Sequence, residues 1–324
     1  MKAIIVDELT NRMSVGEWED PKVGTNELLI DIKATAINRA DVLQKYGKYP
    51  VPPGVTPIMG LEMSGIVEEV GSSVRGWNKG DRVCALLPGG GYAEKVTIPA
   101  DMAIKIPDDF SFEEAAAIPE VFLTAYLNLF ELGQLEKNQT VLIHAGASGV
   151  GTAAIQLARE AGATIIVTAG SEEKLSLCKE LGAHYTINYK KDNFAEKVSE
   201  ITEGKGVDLI LDFIGASYFE KNIESLKIEG RLILIGTLGG SRLEIDLMSL
   251  MIKRIKVFGS TLRSQTPAQK ESLTKKFVEF AMPLLTTKRI SPIIDCVFQL
   301  HEVNEAHEKM ERNENKGKII LKIN

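Results

Sequence analysis

One stretch constrains this chain more than any other: Thr140-Val-Leu-Ile-His-Ala-Gly146-Ala-Ser148-Gly149-Val150-Gly151, followed at once by Thr152-Ala-Ala-Ile-Gln-Leu-Ala158. An apolar run of strand character enters a glycine-rich turn and leaves it as an amphipathic helix. Gly146 suits a tight turn. Gly149 and Gly151 let the backbone approach a phosphate and let the helix pack closely on the strands. The helix start offers free N–H groups and the positive end of its dipole to a pyrophosphate. Ala153, Ala154 and Ala158 are small enough for the helix to lie near a sheet. The pattern departs from G-x-G-x-x-G at its middle glycine, where Ser148 brings a hydroxyl able to donate to a phosphate. A similar turn occurs in other doubly wound folds, so the flanking sequence has to decide.

From about residue 120 onward, short apolar runs alternate with helical patterns. The candidate strands are 140–145, 164–169, 185–188, 207–214, 231–236 and 255–260. This rhythm predicts βαβ units and a doubly wound parallel sheet with helices on both faces, and so favours cofactor binding at the glycine turn. The first 120 residues read differently. Runs at 27–32, 64–70, 82–86 and 93–99 are punctuated by Gly71-Ser-Ser73, Gly80-Asp81 and Pro88-Gly-Gly-Gly91, as in a β-rich module with irregular loops. Tyr49-Pro-Val-Pro-Pro-Gly54 lacks the backbone donors of a helix or central strand and predicts a fixed loop. The tail predicts a helix over 270–285 and a strand over 318–322. A chain of 324 residues suits about two domains. The expected boundaries are a β-rich domain over 1–120, a dinucleotide-binding domain over 121–262, and a return to the first domain over 263–324.

Composition narrows the function classes. Apolar residues make up 44% and charged residues 25%, as in a globular enzyme. A net charge of -6 without a basic run argues against a nucleic-acid surface. No apolar run approaches the roughly 20 residues of a membrane-spanning helix, and residues 1–7 lack the apolar core of a signal peptide. Cys84, Cys178 and Cys296 are scattered, with neither disulfide nor metal spacing. A cytoplasmic location is expected.

An NAD-specific turn places an acid about 20 residues on, at the end of the second strand, to bind the ribose 2′-hydroxyl. Here that strand ends Val167-Thr-Ala-Gly170-Ser171, without an acid. Ser171 and Lys174 at the next helix start suit a 2′-phosphate, which predicts NADPH. The competing reading makes Ser171 a plain helix cap with Glu172 and Glu173 in the first turn.

The segment His144–Ala158 resembles the signature of the zeta-crystallin-like quinone oxidoreductases, within the medium-chain dehydrogenase/reductase superfamily. Asn38-Arg-Ala-Asp41, Gly60-Leu-Glu62-Met-Ser-Gly65, Leu87-Pro-Gly-Gly-Gly91, Ala116-Ala-Ile-Pro-Glu120 and Asn188-Tyr-Lys190 extend the likeness over essentially the whole chain. It is closest to the tumour-suppressor-inducible branch. The resemblance implies an α/β chain: a GroES-like catalytic domain built from both chain ends, an inserted Rossmann domain, and an active site in the cleft between them. It implies Tyr49 near the nicotinamide and a bound quinone, with Asn38 lining the same pocket. It further implies cofactor contacts from Thr124, from Gly146, Ser148, Gly149, Val150 and Gly151, from Gly170, Ser171, Lys174 and Tyr189, and from the turns Gly236-Thr237-Leu238 and Ser260-Thr261-Leu262. Without the resemblance, Tyr49 reads equally well as a loop anchor.

Zinc-dependent members of that superfamily use Cys and His ligands. Here Asn38 and Leu61 stand at the corresponding places and the four-cysteine structural site is missing, which predicts an enzyme without metal. Glu62 is expected to pair with a nearby cation, and Asp41 to cap or orient a helix over 39–45. His144 is expected to be packed, and His301 and His307 to lie on a surface turn and helix. The expected reaction is hydride transfer from NADPH to a quinone or another electrophilic carbonyl, positioned by Asn38 and Tyr49. An enone or 2-alkenal reductase, and an NADPH-binding sensor or structural protein with little turnover, are the alternatives. The edge strand 255–260 predicts a homodimer or a dimer of dimers.

Overall fold

The computed structural model describes residues 1–7 and 9–323. The chain divides into two compact units, Met1–Leu123 with Arg263–Asn324, and Thr124–Leu262.

The first unit opens with an antiparallel pair, β1 (Lys2–Val6) and β2 (Met13–Glu17). The eleven-residue β3 (Glu27–Ile37) follows, then α1 (Arg39–Lys45), β4 (Glu62–Val70), β5 (Arg82–Leu86), β6 (Lys95–Pro99), β7 (Ala103–Lys105) and α2 (Phe112–Ala116). The strand expected over 27–32 runs on to eleven residues because it changes face midway. Leu28, Ile30 and Ile32 point into the core with Val67, Val83 and Ile98. The pairing with β4 then slips between Ile32 and Ala34, which shifts the two-residue alternation by one. Beyond the slip, Ile37 faces that core, while Ala34 and Ala36 meet Ala116, Ala117 and Ile320. Small side chains there let α2 lie directly on the sheet.

In the second unit, α3 (Pro119–Tyr126), inside which the first division falls, continues into a wider turn over 127–132. Six strands then alternate with five helices. They are β8 (Thr140–Ile143), α4 (Gly149–Glu160), β9 (Thr164–Ala169), α5 (Glu172–Leu181), β10 (Tyr185–Asn188), α6 (Phe194–Ile201), β11 (Val207–Asp212), α7 (Phe219–Ser225), β12 (Leu226–Leu234), α8 (Leu247–Lys253) and β13 (Lys256–Gly259). All pair in parallel in the order β10-β9-β8-β11-β12-β13. The chain therefore winds outward through β9 and β10 and returns to start again at β11. That leaves a switch point beside β8, where doubly wound sheets bind ligands at their carboxyl ends. Leu142, Ile166, Ile187, Ile210 and Leu232 fill the core beneath.

Several strand ends differ from expectation. The run read as 140–145 stops at Ile143, because Ala145 adopts a left-handed φ of 49° that no strand accepts. The run 207–214 stops at Asp212, whose carboxylate turns back to accept the N–H groups of Ile214 and Gly215. The run 231–236 begins earlier, at Leu226, and carries an irregular residue, Glu229, at φ 65°.

The chain closes with α9 (Pro267–Thr286), β14 (Ile294–Gln299), α10 (Val303–Glu311) and β15 (Lys318–Lys322). Thr266 and Gln269 form a capping box and Pro267 occupies the first turn, so α9 starts before the expected residue 270. β15 lies in the first unit's sheet, parallel to β14 on one side and antiparallel to β3 on the other. Among the described residues, no helix is long and apolar enough to cross a membrane.

Candidate active and cofactor sites

The glycine turn leaves the carboxyl end of β8 at the switch point. Its tight bend falls on Ala145, not on Gly146 as the sequence suggests. Gly146 matters for space instead: a Cβ there would crowd Cys178 and Val167. Gly151 is the most confined residue of the turn, since a Cβ would run into the carbonyl oxygens of Ala145 and Gly146. Ser148 caps α4, its Oγ accepting the Gly151 N–H at 3.1 Å. That bond uses the oxygen as acceptor and leaves the hydroxyl proton to donate. Gly149 and Val150, both half-buried, supply first-turn N–H groups that helix geometry leaves without an intrahelical partner. The arrangement fits a pyrophosphate.

At the end of β9, Gly170 lies against the Tyr189 hydroxyl, where a Cβ would be within 2.6 Å. Ser171 is the N-cap of α5 and accepts the Lys174 N–H at 3.3 Å. Glu172 leans away toward the end of β10, accepting from Asn188 Nδ2 at 3.0 Å and Lys191 Nζ at 2.8 Å. Lys191 and Asn188 hold its carboxyl below the usual range. Gly170, Ser171, Lys174 and half-exposed Tyr189 thus gather where β9 and β10 end. The turn Gly236-Thr237-Leu238 follows β12, with Thr237 and Leu238 exposed. Ser260-Thr261-Leu262 follows β13, its Ser260 N–H bound to the Leu234 carbonyl and Leu262 buried. Thr124 is buried in α3, its carbonyl accepting from Asn128.

His144 is packed. Its Nε2 lies 2.7 Å from Asn222 Oδ1 and its Nδ1 2.9 Å from Thr168 Oγ1. Because an amide oxygen only accepts, Nε2 carries the proton. Burial pulls the ring down to about 4, so it stays neutral and is no base at neutral pH.

In the first unit, the sheet buries a polar cluster at the start of β15. Lys318 is 3% exposed, and its ammonium reaches Glu62 Oε1 at 2.7 Å, Asn38 Oδ1 at 2.6 Å and the Ile37 carbonyl at 3.2 Å. Asn38 Nδ2 donates to the same Glu62 oxygen at 2.9 Å, and Glu62 Oε2 accepts the Glu120 N–H at 2.9 Å. Both ends of the Asn38 amide are therefore committed inside the protein and the residue is 5% exposed. Asn38, expected to line a substrate pocket, is thus held by the Glu62 carboxylate and the Lys318 ammonium. Asp41 sits beside the cluster as the third residue of a capping box, accepting from Asn38 N at 2.8 Å and from Gly60 N at 3.0 Å. Burial raises its carboxyl to about 6 despite these bonds.

The same cluster bears on metal. Of the two positions where zinc-dependent relatives are expected to bind, Leu61 offers no ligand atom, and Asn38 shares the Lys318 ammonium with the neighbouring Glu62. An amide and a carboxylate already bridged by a cation do not fit a zinc ligand set. Among the described residues, no three His, Cys, Asp or Glu side chains converge.

Tyr49 is half-buried, on the loop after α1. Its ring covers the Arg263 guanidinium, whose carbon lies 5.2 Å from the ring centre. Burial raises its hydroxyl, and Arg263 opposes that shift. Gly89 to Gly91 form a buried loop, Gly91 packing on the backbone of Gly60, where φ is 98°. One histidine is misplaced by the sequence reading: His307 is fully buried on α10, its Nε2 3.1 Å from the Tyr92 hydroxyl, whereas His301 is exposed. Two residues escaped the sequence reading, Lys318 and Arg263. Nothing local marks Lys318; Arg263 directly follows the turn Ser260-Thr261-Leu262.

Comparison with known proteins agrees with this geometry. Residues 24–108 match the alcohol dehydrogenase GroES-like domain, and residues 149–280 match the family described as zinc-binding dehydrogenase. The chain is 31% identical to a quinone oxidoreductase-like protein 2 homologue of Nematostella vectensis, over 99% of this chain and 88% of the relative. The crystal structure of Escherichia coli quinone oxidoreductase complexed with NADPH superposes with a TM-score of 0.89, at 28% identity and full coverage of both chains. That of the CurK enoyl reductase gives 0.88 at 28% identity, covering 100% of this chain and 99% of the other. A GroES-like β unit joined to a doubly wound parallel unit with a glycine turn defines a nucleotide-dependent oxidoreductase class. This chain belongs to the medium-chain dehydrogenase/reductase superfamily, related to the quinone oxidoreductase-like proteins.

Proposed function

We propose that the protein is an NADPH-dependent quinone reductase that works without metal. The observation that carries this reading is the β8 turn at the switch point, with first-turn amides of α4 that have no intrahelical partner, next to a β9 end that has no acid and offers Ser171, Lys174 and Tyr189 instead. When bound, NADPH supplies the hydride. The chain's own residues bind and orient. Ser148, Gly149, Val150 and Gly151, after Gly146, would receive the pyrophosphate. Gly170, Ser171, Lys174 and Tyr189 would receive the 2′-phosphate. Thr124 and the turns Gly236-Thr237-Leu238 and Ser260-Thr261-Leu262 would flank the nicotinamide half. Glu172, drawn off to Asn188 and Lys191, does not oppose a phosphate at the start of α5. Tyr49 would stack on the quinone. Asn38 would act through Glu62 and Lys318, keeping that part of the unit rigid. The 1–120, 121–262 and 263–324 division follows the same logic, with the middle segment holding cofactor and the outer two the acceptor.

The test is a matched panel of quinones and simple enals, each with NADPH and NADH. Charge-assisted contacts contribute about 1.5–3 kcal/mol, so a preference for NADPH of roughly tenfold or more is expected. Lys174→Ala should remove most of it by weakening NADPH alone. Faster turnover of enals than of quinones would make the protein an enone or alkenal reductase, which the likeness to an enoyl reductase also supports. NADPH binding without turnover would make it a sensor.

The same reading includes a cytoplasmic homodimer. β13 ends the second unit's sheet, so one side of its backbone is unpaired. Beside it, Leu247, Met248, Met251 and Ile252 on α8 are each more than half exposed. Such an apolar surface at a sheet edge suits a two-fold contact with a second copy. Light scattering of the wild type and of Met251→Glu should give a dimer and a monomer respectively; a monomeric wild type at micromolar concentration would refute it.

A further inference from the structure

Arg263 is 8% exposed, yet most of its donors are idle. Its Nε–H reaches the Pro88 carbonyl at 2.9 Å. Nη1 and Nη2 are buried and have no hydrogen-bond partner. A guanidinium carries five N–H groups in a planar fork, so four of the five are unused. Leaving charged donors buried and unpaired is costly. The molecule avoids that cost elsewhere. Lys318 uses its ammonium on three oxygens, and Arg231 places its terminal nitrogens on the Gly133 carbonyl and Gln134 Oε1.

A second cation stands beside the first. Lys270 Nζ donates to the Arg263 carbonyl at 2.7 Å. Burial, and then the charge of Arg263, lower its ammonium. Among the described residues, neither cation makes an ion pair. Asp41 is the carboxylate whose charge reaches Arg263, but its oxygens are taken by the N–H groups of Asn38 and Gly60. Tyr49 covers a face of the guanidinium, and the two terminal nitrogens in its plane make no hydrogen bond.

We propose that Arg263 is a specificity-determining residue, whose Nη1 and Nη2 receive a carboxylate carried by the acceptor, with Tyr49 stacked over the ion pair and Lys270 reinforcing the charge. The planar fork matches a carboxylate oxygen for oxygen, which a lone ammonium would not. The preferred acceptors are then conjugated carbonyl compounds bearing a carboxylate. Only the word acceptor rests on the reductase reading; the anion site stands on the geometry of the first unit.

Two measurements test it. The first needs no cofactor: calorimetric titration with benzoate, with benzamide as the neutral isostere and inorganic phosphate as a non-planar anion. Benzoate should bind at least about tenfold more tightly than benzamide or phosphate at low salt, and Arg263→Met should abolish that difference. Arg263→Lys should recover only part of it. Because the guanidinium is unsatisfied without ligand, Arg263→Met should melt no lower than wild type. A melting point lowered by several degrees, or benzoate binding unchanged in Arg263→Met, would overturn the proposal, the first by making Arg263 structural. The second measurement compares 3-benzoylacrylate with its methyl ester as acceptors. The acid should have the lower KM in the wild type, and the two should be equal in Arg263→Met. Equal use of acid and ester by an active wild type would refute the carboxylate site while leaving the reductase reading intact. Selective benzoate binding without turnover of any acceptor would do the reverse.

Discussion

The buried cluster at Lys318 gives the sharpest stability test. Lys318→Met keeps the length of the side chain and deletes the ammonium. Glu62, fully buried, then holds a carboxylate against one amide and one backbone N–H, while Asn38 Oδ1 and the Ile37 carbonyl each lose a donor. Removing one partner of a buried pair costs about 3–5 kcal/mol. Glu62→Gln should cost a similar amount, because it strands the ammonium instead. The double variant removes both charges of the pair, so its cost should fall short of the sum by about 2 kcal/mol or more, a coupling expected only of directly interacting groups. The assay is urea unfolding followed by tryptophan fluorescence. The chain has two tryptophans, Trp18 and Trp77, and both lie in the first unit, so the signal reports the unit that holds the cluster. A Lys318→Met cost under about 1 kcal/mol, or additivity of the two variants within about 0.5 kcal/mol, would refute the argument.

Gly151→Ala should abolish NADPH binding and lower stability together, since the new methyl collides with the carbonyls of Ala145 and Gly146; a variant that still binds NADPH would show that the turn yields. Tyr49→Ala should reduce turnover of quinone far more than affinity for NADPH, and equal losses would make Tyr49 a loop anchor. His307 is held neutral, its value pulled down to about 3 by burial, so its contribution is complete above its ordinary 6.5 and is lost as pH falls toward 3. That loss has a limiting slope of about 1.4 kcal/mol per pH unit. His307→Gln should flatten that slope in acid denaturation. Asp41, raised to about 6, acts oppositely: its contribution is complete below about 3.8 and fades as pH rises through 6, so Asp41→Asn should remove that decline. Elemental analysis should find no stoichiometric zinc, and one zinc per chain with activity lost to chelators would contradict the metal-free reading.

Much of this architecture is legible locally. The strands 164–169, 185–188 and 318–322 fall where their apolar patterns put them. The end of β3 does not, because its alternation is broken by a slip in pairing that depends on β4. Gly146 suits a tight turn by its residue type, but crowding by Cys178 and Val167 claims that glycine for space, and Ala145 takes the strained conformation. Charge placement is the least legible layer. Lys318 and Lys322 lie on the same face of one short strand, yet the first is buried on Glu62 and the second meets Glu113 near solvent. His307 looks like any polar residue of an amphipathic helix until Tyr92 arrives from far away in the chain. A cation for Glu62 was foreseeable in kind, but its identity depends on the return of β15.

That return sets a timetable for synthesis. β15 fills the gap between β14 and β3, so the sheet begun by the earliest residues waits for one of the latest strands. At about 5–20 residues per second, the roughly 200 residues between Leu123 and Lys318 take about 10–40 s to translate. Through that interval the flank of β3 stays bare and Glu62 has no counter-charge, while the second unit, continuous in sequence, is free to fold as it emerges. The nascent chain's most vulnerable surface is therefore its oldest one, and a ribosome stalled before residue 318 would leave it exposed to proteases and to pairing with other chains.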